Sequence, residues 1–348
     1  NSAIALRLRA QHELSRLPRP RACRIAARSG DQVGTSLSVD LPWLAVGAPA
    51  DEAVYLYELA AGGWKMRQTL THGSEDFGSA LAIDDGRLAV GAPGSNRVVL
   101  YRMSDGIWSA DGTLSGPVGF GTSVAIDGPR MAVGAPGNPA IDRFLAPEGE
   151  VITYVDDGSW AKDEVLARGD LGSETRFGAD VDLDGDLLIV GAPAREIEDE
   201  VFQGAAYIFK KQGSWVEQAH LTVDATFDEA GTFGEVVAIS GTHAIAAAPP
   251  RFVDGVLYIG SIFFYEQRGT TWTLIQSDDL EEGDIALQGG RAVLGAPIRN
   301  GGQQRREQQA RAHQKPSSSA STTVLSSPVT VARVLSPVPV TALPSPRT

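Results

Sequence analysis

A single cysteine, Cys23, stands among 348 residues. That excludes an intrachain disulfide framework and leaves the compartment open, since large exported proteins often carry none. No apolar run approaches the ~20 residues that a membrane-spanning helix needs. Histidine is scarce: His12, His72, His220, His243 and His313 are scattered, and none has a partner at metal-ligand spacing. There is no G-x-S-x-G elbow, no P-loop and no acid pair in a cleft-type motif. These absences argue against an enzyme.

Basic residues are scarce in the middle of the chain. Residues 1–30 carry seven Arg against one Glu, and residues 298–348 carry seven basic residues against one Glu, a net +6 at each end. With an overall charge of −13, the body between them holds a net −25. So acidic a body would repel phosphates, which argues against a nucleic-acid partner. It suits solubility, export or contact with divalent cations. The first tail is broken by Pro18 and Pro20 and reads as disordered. The last, rich in Ser, Pro, Thr and Val from Pro316 onward, reads as a disordered linker or stalk, or both basic ends are foreign to the domain. A chain opening on Asn1 rather than Met reads as a fragment or a processed product, with any signal peptide out of view.

What the chain does have is a repeat. Residues Phe77 to Pro93, FGSALAIDDGRLAVGAP, read as two short apolar strands joined by a tight Asp85-Gly86 turn and closed by Gly-Ala-Pro. The stretch recurs at Val33 to Pro49, Phe120 to Pro136, Phe177 to Pro193 and Phe233 to Pro249. In each copy the first Gly (Gly34, Gly78, Gly121, Gly178, Gly234) lies thirteen residues before the residue that opens the final tripeptide, which is Ala247 in the fifth copy. A partial sixth copy ends at Pro297, with Glu281-Glu282 in place of Phe-Gly. An aromatic strand and then a Trp follow each full copy: Tyr57/Trp64, Tyr101/Trp108, Tyr154/Trp160, Phe209/Trp215 and Tyr265/Trp272.

A period of 43 to 57 residues with about four strands per unit predicts an all-β fold, a β-propeller of four-stranded antiparallel blades. Blade two should use Ser79–Asp84, Arg87–Ala92, Val98–Met103 and a strand around Trp108–Leu114. Small residues in the first two strands suit the crowded axis, and aromatics in the last two suit the diverging periphery. The domains read as a basic tail over 1–30, a propeller over 31–297 and a Ser/Pro/Thr-rich tail over 298–348. Five full repeats and part of a sixth give an incomplete ring, six- or seven-bladed if completed.

These Phe-Gly and Gly-Ala-Pro pairs resemble the FG-GAP repeats of integrin alpha-subunit propellers, and the downstream aromatic strand and Trp are similar to the bacterial branch of that family. The resemblance covers about residues 31–297 and implies a propeller at a cell surface. Calcium-binding members carry a loop of the type D-x-D-x-D-G-x-x-D between the two signatures. Here Asp84-Asp85-Gly86 and Asp127-Gly128-Pro129 are mere hairpin turns without room for five or more oxygen ligands, so family calcium sites do not carry over to them.

Two places depart from the repeat. Blade four has Asp180, Asp182 and Asp184 on one strand face, where other blades have Ser36/Ser38, Ala80/Ala82, Ser123/Ala125 and Val236/Ala238. Carboxylates there cost desolvation unless paired, and either a cation such as calcium or a ring of backbone amides would pair them. A solvent-filled axial channel would also tolerate them. The second departure is the connection from the tripeptide Pro to the aromatic residue, eight residues in blades one and two but 18, 16 and 16 in blades three, four and five. The additions carry Glu196, Glu198, Asp199 and Glu200 in blade four and Arg251, Phe252 and Asp254 in blade five. Insertions confined to one face mark a binding surface. The expectation is therefore a non-catalytic, extracellular or cell-surface binding or adhesion propeller with a protein or carbohydrate ligand and no cofactor. The alternatives are a purely structural segment of a larger surface protein and, last, a propeller enzyme.

Overall fold

The computed structural model describes residues 32–61, 63–137, 149–167, 176–193, 204–223, 232–249, 251–253, 256–258, 260–280, 285–288, 291–294 and 333–335. Blade one consists of β1 (Leu37–Asp40), β2 (Trp43–Ala48), β3 (Ala53–Ala60) and β4 (Gly63–Thr71). Blade two follows with β5 (Ala80–Asp84), β6 (Arg87–Ala92), β7 (Arg97–Ser104) and β8 (Ile107–Ser115), within a residue or so of the predicted strands. Blade three has β9 (Ser123–Asp127), β10 (Arg130–Ala135), β11 (Glu150–Asp156) and β12 (Trp160–Ala167). Blade four has β13 (Val181–Asp184), β14 (Leu187–Ala192), β15 (Ala205–Gln212) and β16 (Ser214–Leu221). Blade five has β17 (Val236–Ser240) and β18 (His243–Ala248), then a small hairpin of β19 (Arg251–Val253) and β20 (Val256–Tyr258), then β21 (Gly260–Arg268) and β22 (Thr271–Leu280). Each blade is a four-stranded antiparallel meander, and in the fifth the small hairpin stands outside the order β17-β18-β21-β22.

A sixth sheet holds β23 (Ile285–Gln288), β24 (Arg291–Leu294) and β25 (Arg333–Leu335). Its first two strands are the partial sixth repeat. The third comes from far along the C-terminal segment and pairs Ala292 with Leu335 and Leu294 with Arg333. The rest of 298–348, and all of 1–30, lie outside the described residues.

The first strands of successive blades pack side by side, β1 on β5, β5 on β9, β9 on β13, β13 on β17 and β17 on β23. This arrangement accounts for the residue gradient. A strand flanked by two blades is covered on both faces, and all five residues of β5, ALAID, are buried. Aromatics appear further out, where the sheets diverge. The hydrophobic core is consequently a series of layers between blades rather than one centre. Between blades one and two it joins Leu56 and Trp43 to Phe77, Leu88 and Tyr101, and Trp43 meets Trp108 edge-on at 5.7 Å. The five repeat Trp residues all fall at the first or second position of the fourth strand.

The two signatures are halves of one contact between neighbouring blades. Each Phe of Phe-Gly (Phe77, Phe120, Phe177, Phe233) is fully buried. The Gly after it bends back with positive φ, +96° at Gly78 and +90° at Gly178, a conformation that side chains resist. Its carbonyl then approaches the Gly of the preceding blade's Gly-Ala-Pro. A Cβ on Gly47, Gly91, Gly134 or Gly191 would collide with the carbonyl oxygen of Gly78, Gly121, Gly178 or Gly234 respectively. Blade five carries Ala247 at this position, and blade six, its neighbour, has Glu281-Glu282 where Phe-Gly would stand. The two departures are complementary: where the approaching turn is changed, the glycine is dispensed with.

Candidate functional site

The three aspartates of blade four lie where the sequence predicts, at the axial end of the sheet and on one face. Alternate N–H groups of an innermost strand point away from its only strand partner. In β17 those are the amides of Val237, Ile239 and Gly241, at the same two-residue spacing as the acids. Val237 N–H donates to Asp180 Oδ2 at 2.9 Å, Ile239 N–H to Asp182 Oδ2 at 2.9 Å, and Gly241 N–H to Asp184 Oδ2 at 2.6 Å. The amides of Val181 and Leu183 hold the other oxygens of Asp180 and Asp182, at 3.0 and 2.9 Å. A row of backbone amides, one of the partners the sequence allows, is thus what faces these carboxylates.

The arrangement belongs to the whole propeller. Ser38 Oγ accepts from Ile83 N–H at 3.0 Å, while the Ser36 and Ser123 hydroxyls donate to the Gly78 and Gly178 carbonyls at 2.7 and 2.9 Å. At the end of the first strand an Asp recurs, and each reaches the turn of the next blade. Asp40 accepts from Asp85 N–H at 2.8 Å, Asp84 from Gly128 N–H at 2.6 Å, and Asp127 from Gly185 N–H. Sequence reasoning missed this role for Asp40, Asp84 and Asp127. The signal for it is their recurrence at one register of the repeat.

Burial pushes the Asp180 carboxyl up to about 7; the Val237 amide opposes this and the charge of Asp182 adds to it. Asp180 retains some exposed area although protein surrounds it closely. The three carboxylates are spread along a strand and aimed at successive amides. They do not converge on one point, as the six to eight oxygens around a calcium ion must. Among the described residues no group of three or more His, Cys, Asp or Glu is placed to hold a metal ion.

Further out, charged side chains join blades. Asp156 receives Arg87 Nε at 2.7 Å and Arg102 at 3.0 Å, linking blades two and three. Burial raises the Asp156 pKa, but hydrogen bonds from the two arginines and Gly158 outweigh it and hold the carboxyl below its ordinary value. Lys211 of blade four lies 2.6 Å from Asp163 and 2.5 Å from Glu164 of blade three. On the fourth strands, Gln68 clasps the backbone of Trp108 in the next blade by two hydrogen bonds of 2.7 and 3.0 Å. Glu164 likewise accepts from Trp215 N–H at 3.2 Å.

The connections between second and third strands emerge at the Gly-Ala-Pro end, opposite the Asp-bearing turns. In blades one and two they are single 3₁₀ turns, Pro49–Asp51 and Pro93–Ser95, each closed by a residue in left-handed conformation, Glu52 and Asn96. In blade five the connection folds into the β19–β20 hairpin, which pairs Arg251 with Tyr258 and Val253 with Val256. Glu196, Glu198, Asp199, Glu200 and Asp254 lie outside the described residues, and Arg251 is placed by its backbone alone.

Four-stranded sheets packed in series by their first strands define a β-propeller repeat protein. Residues 160–209 match the family described as FG-GAP repeat. That span runs from the outer strand of blade three through the Phe-Gly and Gly-Ala-Pro of blade four to Phe209. Among solved structures, the chain is similar to one titled as the mitotic checkpoint complex, at 14% identity over 75% of this chain and 73% of that chain, with a TM-score of 0.51. It is also similar to a protein from Lactobacillus plantarum, at 16% identity over 70% of each chain and a TM-score of 0.48. Likenesses at such identities bear on fold alone. No curated protein matches the chain, and among the described residues no helix is long and apolar enough to cross a membrane.

Proposed function

We propose that the protein is a non-catalytic binding module, extracellular or at a cell surface, that takes a protein or carbohydrate ligand on the Gly-Ala-Pro face of blades three to five. One observation carries this reading: in blades three to five the connection from second to third strand is long and leaves the second strand at that face, while the same connection in blades one and two is a single turn. The β19–β20 hairpin adds an ordered projection there. The opposite face is occupied by tight turns held by the aspartates of the preceding blade, and the axial acids are engaged in the same structural pairing.

The test is binding of the full chain to an array of matrix proteins and glycans, beside two loop variants. One neutralises Glu196, Glu198, Asp199 and Glu200 to their amides; the other is Arg251→Glu. The proposal expects a ligand whose binding falls at least about tenfold in one loop variant while the melting temperature holds. No ligand on either array, or binding indifferent to both variants, would favour a purely structural segment.

A further inference from the structure

Among the described residues, the outermost strands β4, β8, β12, β16 and β22 are the edges of their sheets. A sheet edge offers backbone N–H and C=O groups to any strand that arrives, and charge or cover keeps it single. Four of the five strands carry charge: Arg67 on β4, Asp111 on β8, Asp163 and Glu164 on β12, and Glu217 on β16. Two edges are also covered. Gln68 accepts from Trp108 N–H at 3.0 Å and donates to the Trp108 carbonyl at 2.7 Å, which occupies the edge of β8. Glu164 accepts from Trp215 N–H on β16 at 3.2 Å.

β22 has neither protection over its first seven residues. From Thr271 to Ser277 it carries no charge, and every residue of that run except Trp272 is exposed. Leu274 is 48% and Ile275 38% exposed. In blades one, two, four and five a bulge inserts one residue opposite the third strand, which is Arg67, Asp111, Gln218 and Ile275 in turn. Of these only Ile275 is apolar. Met66, at the register of Leu274, is exposed too, but it stands between Lys65 and Arg67. The clasp is missing as well. Gln68 and Glu164 lie four residues after Trp64 and Trp160, whereas the residue four after Trp215 is Ala219, whose methyl cannot hydrogen-bond the Trp272 backbone.

We infer that β22 is a self-association edge, which pairs antiparallel with β22 of a second copy of this chain about a two-fold axis near Leu274. The charges at the ends of the strand select this direction. Parallel pairing would set Asp278 and Asp279 against the same residues of the other copy, and like charges directly opposite are destabilising. Antiparallel pairing about Leu274 sets them at the Thr271 end instead, next to Arg268 across the hairpin turn. The same axis brings Leu274 and Ile275 of both copies together, where apolar cross-strand neighbours add to the backbone bonds. One patch serves both partners, as a two-fold contact requires. Two seven-residue edges make a small interface, below the ~1,200 Å² of a standard one, so the dimer is reversible. It leaves the Gly-Ala-Pro face open.

Sedimentation velocity of the full chain over a range of concentrations tests this. The wild-type chain should pass from monomer to dimer as concentration rises. Ile275→Arg installs the residue that blade one carries at this register, where Arg67 pairs with Glu58 at 2.6 Å, and Glu266 stands at the Glu58 position of blade five. That variant should keep its melting temperature while its dimer dissociation constant rises at least about tenfold. Ala219→Gln, which changes blade four and leaves β22 intact, should act in the same direction by covering the Trp272 edge. In a Cys23→Ser background, Leu274→Cys should cross-link two chains, and Met66→Cys, at the same register of blade one, should not. A wild-type chain that is monomeric at every concentration would overturn the inference. So would equal cross-linking at the two cysteine sites, or a dimer that neither Ile275→Arg nor Ala219→Gln weakens, since the contact would then lie elsewhere.

Discussion

Asp180 shows how one residue can serve a fold at a cost. Its carboxylate satisfies the Val237 amide, yet crowding by two blades raises its pKa to about 7. The folded chain then holds this proton more tightly than the unfolded chain, in which an aspartate titrates near 4. Between those values the native state binds more protons, so stability falls as pH rises from about 4 to about 7 and is flat above. Asp180→Asn should remove this part of the slope, giving a variant whose stability relative to wild type improves from pH 4 to pH 7.5. A tenfold change in proton affinity corresponds to about 1.4 kcal/mol, so denaturant melts can resolve the shift. A stability difference constant across that range would refute the raised pKa. Wild-type protein should also melt at the same temperature in calcium and in chelator, because the carboxylates face amides. The chemistry of these acids was half legible in sequence. Their shared face followed from spacing, but the partner could not be read, since the amides of β17 are invisible until the blades are assembled.

At the scale of the strand, Phe-Gly and Gly-Ala-Pro owe their spacing to a contact between neighbours. The sequence made the strands, turns and repeat register plain, because period-two apolar runs and Asp-Gly turns are local signals. It did not show why the tripeptide opens with glycine, because the colliding group comes from the next blade, 44 residues away for Gly134 and Gly178. Gly134→Ala should lower stability by roughly 1–3 kcal/mol, the range for overpacking a close-packed interior. Ala247→Gly in blade five, which removes a methyl without relieving a collision, should cost about 1 kcal/mol or less, near the usual penalty for glycine. Paired chemical denaturation of the two variants checks the contrast. Equal effects would mean that the glycine answers to strand geometry alone and not to the neighbouring carbonyl.

For the whole molecule, stability should be graded along the array, because each blade is supported by its neighbours and repeat proteins open in local units. Blades two, three and four have a Phe-Gly seat on both sides, aspartate bridges at the axis and, between two and three and between three and four, ion pairs further out. The sixth hairpin has neither Phe-Gly nor a Gly opposite it. Native-state hydrogen exchange should therefore rank the amides of β6, β10 and β14 as the slowest, opening only with global unfolding. Those of β23 and β24 should open earlier, yet remain protected relative to a free chain, since β17 and β25 flank them. Sub-denaturing urea should leave the slow set unchanged while speeding the sixth hairpin, if the latter opens through a partial unfolding that exposes surface. A single common opening free energy for all six sheets would contradict the grading. It would mean that the sixth hairpin is held as firmly as its neighbours without the contact that Phe-Gly and Gly-Ala-Pro make elsewhere.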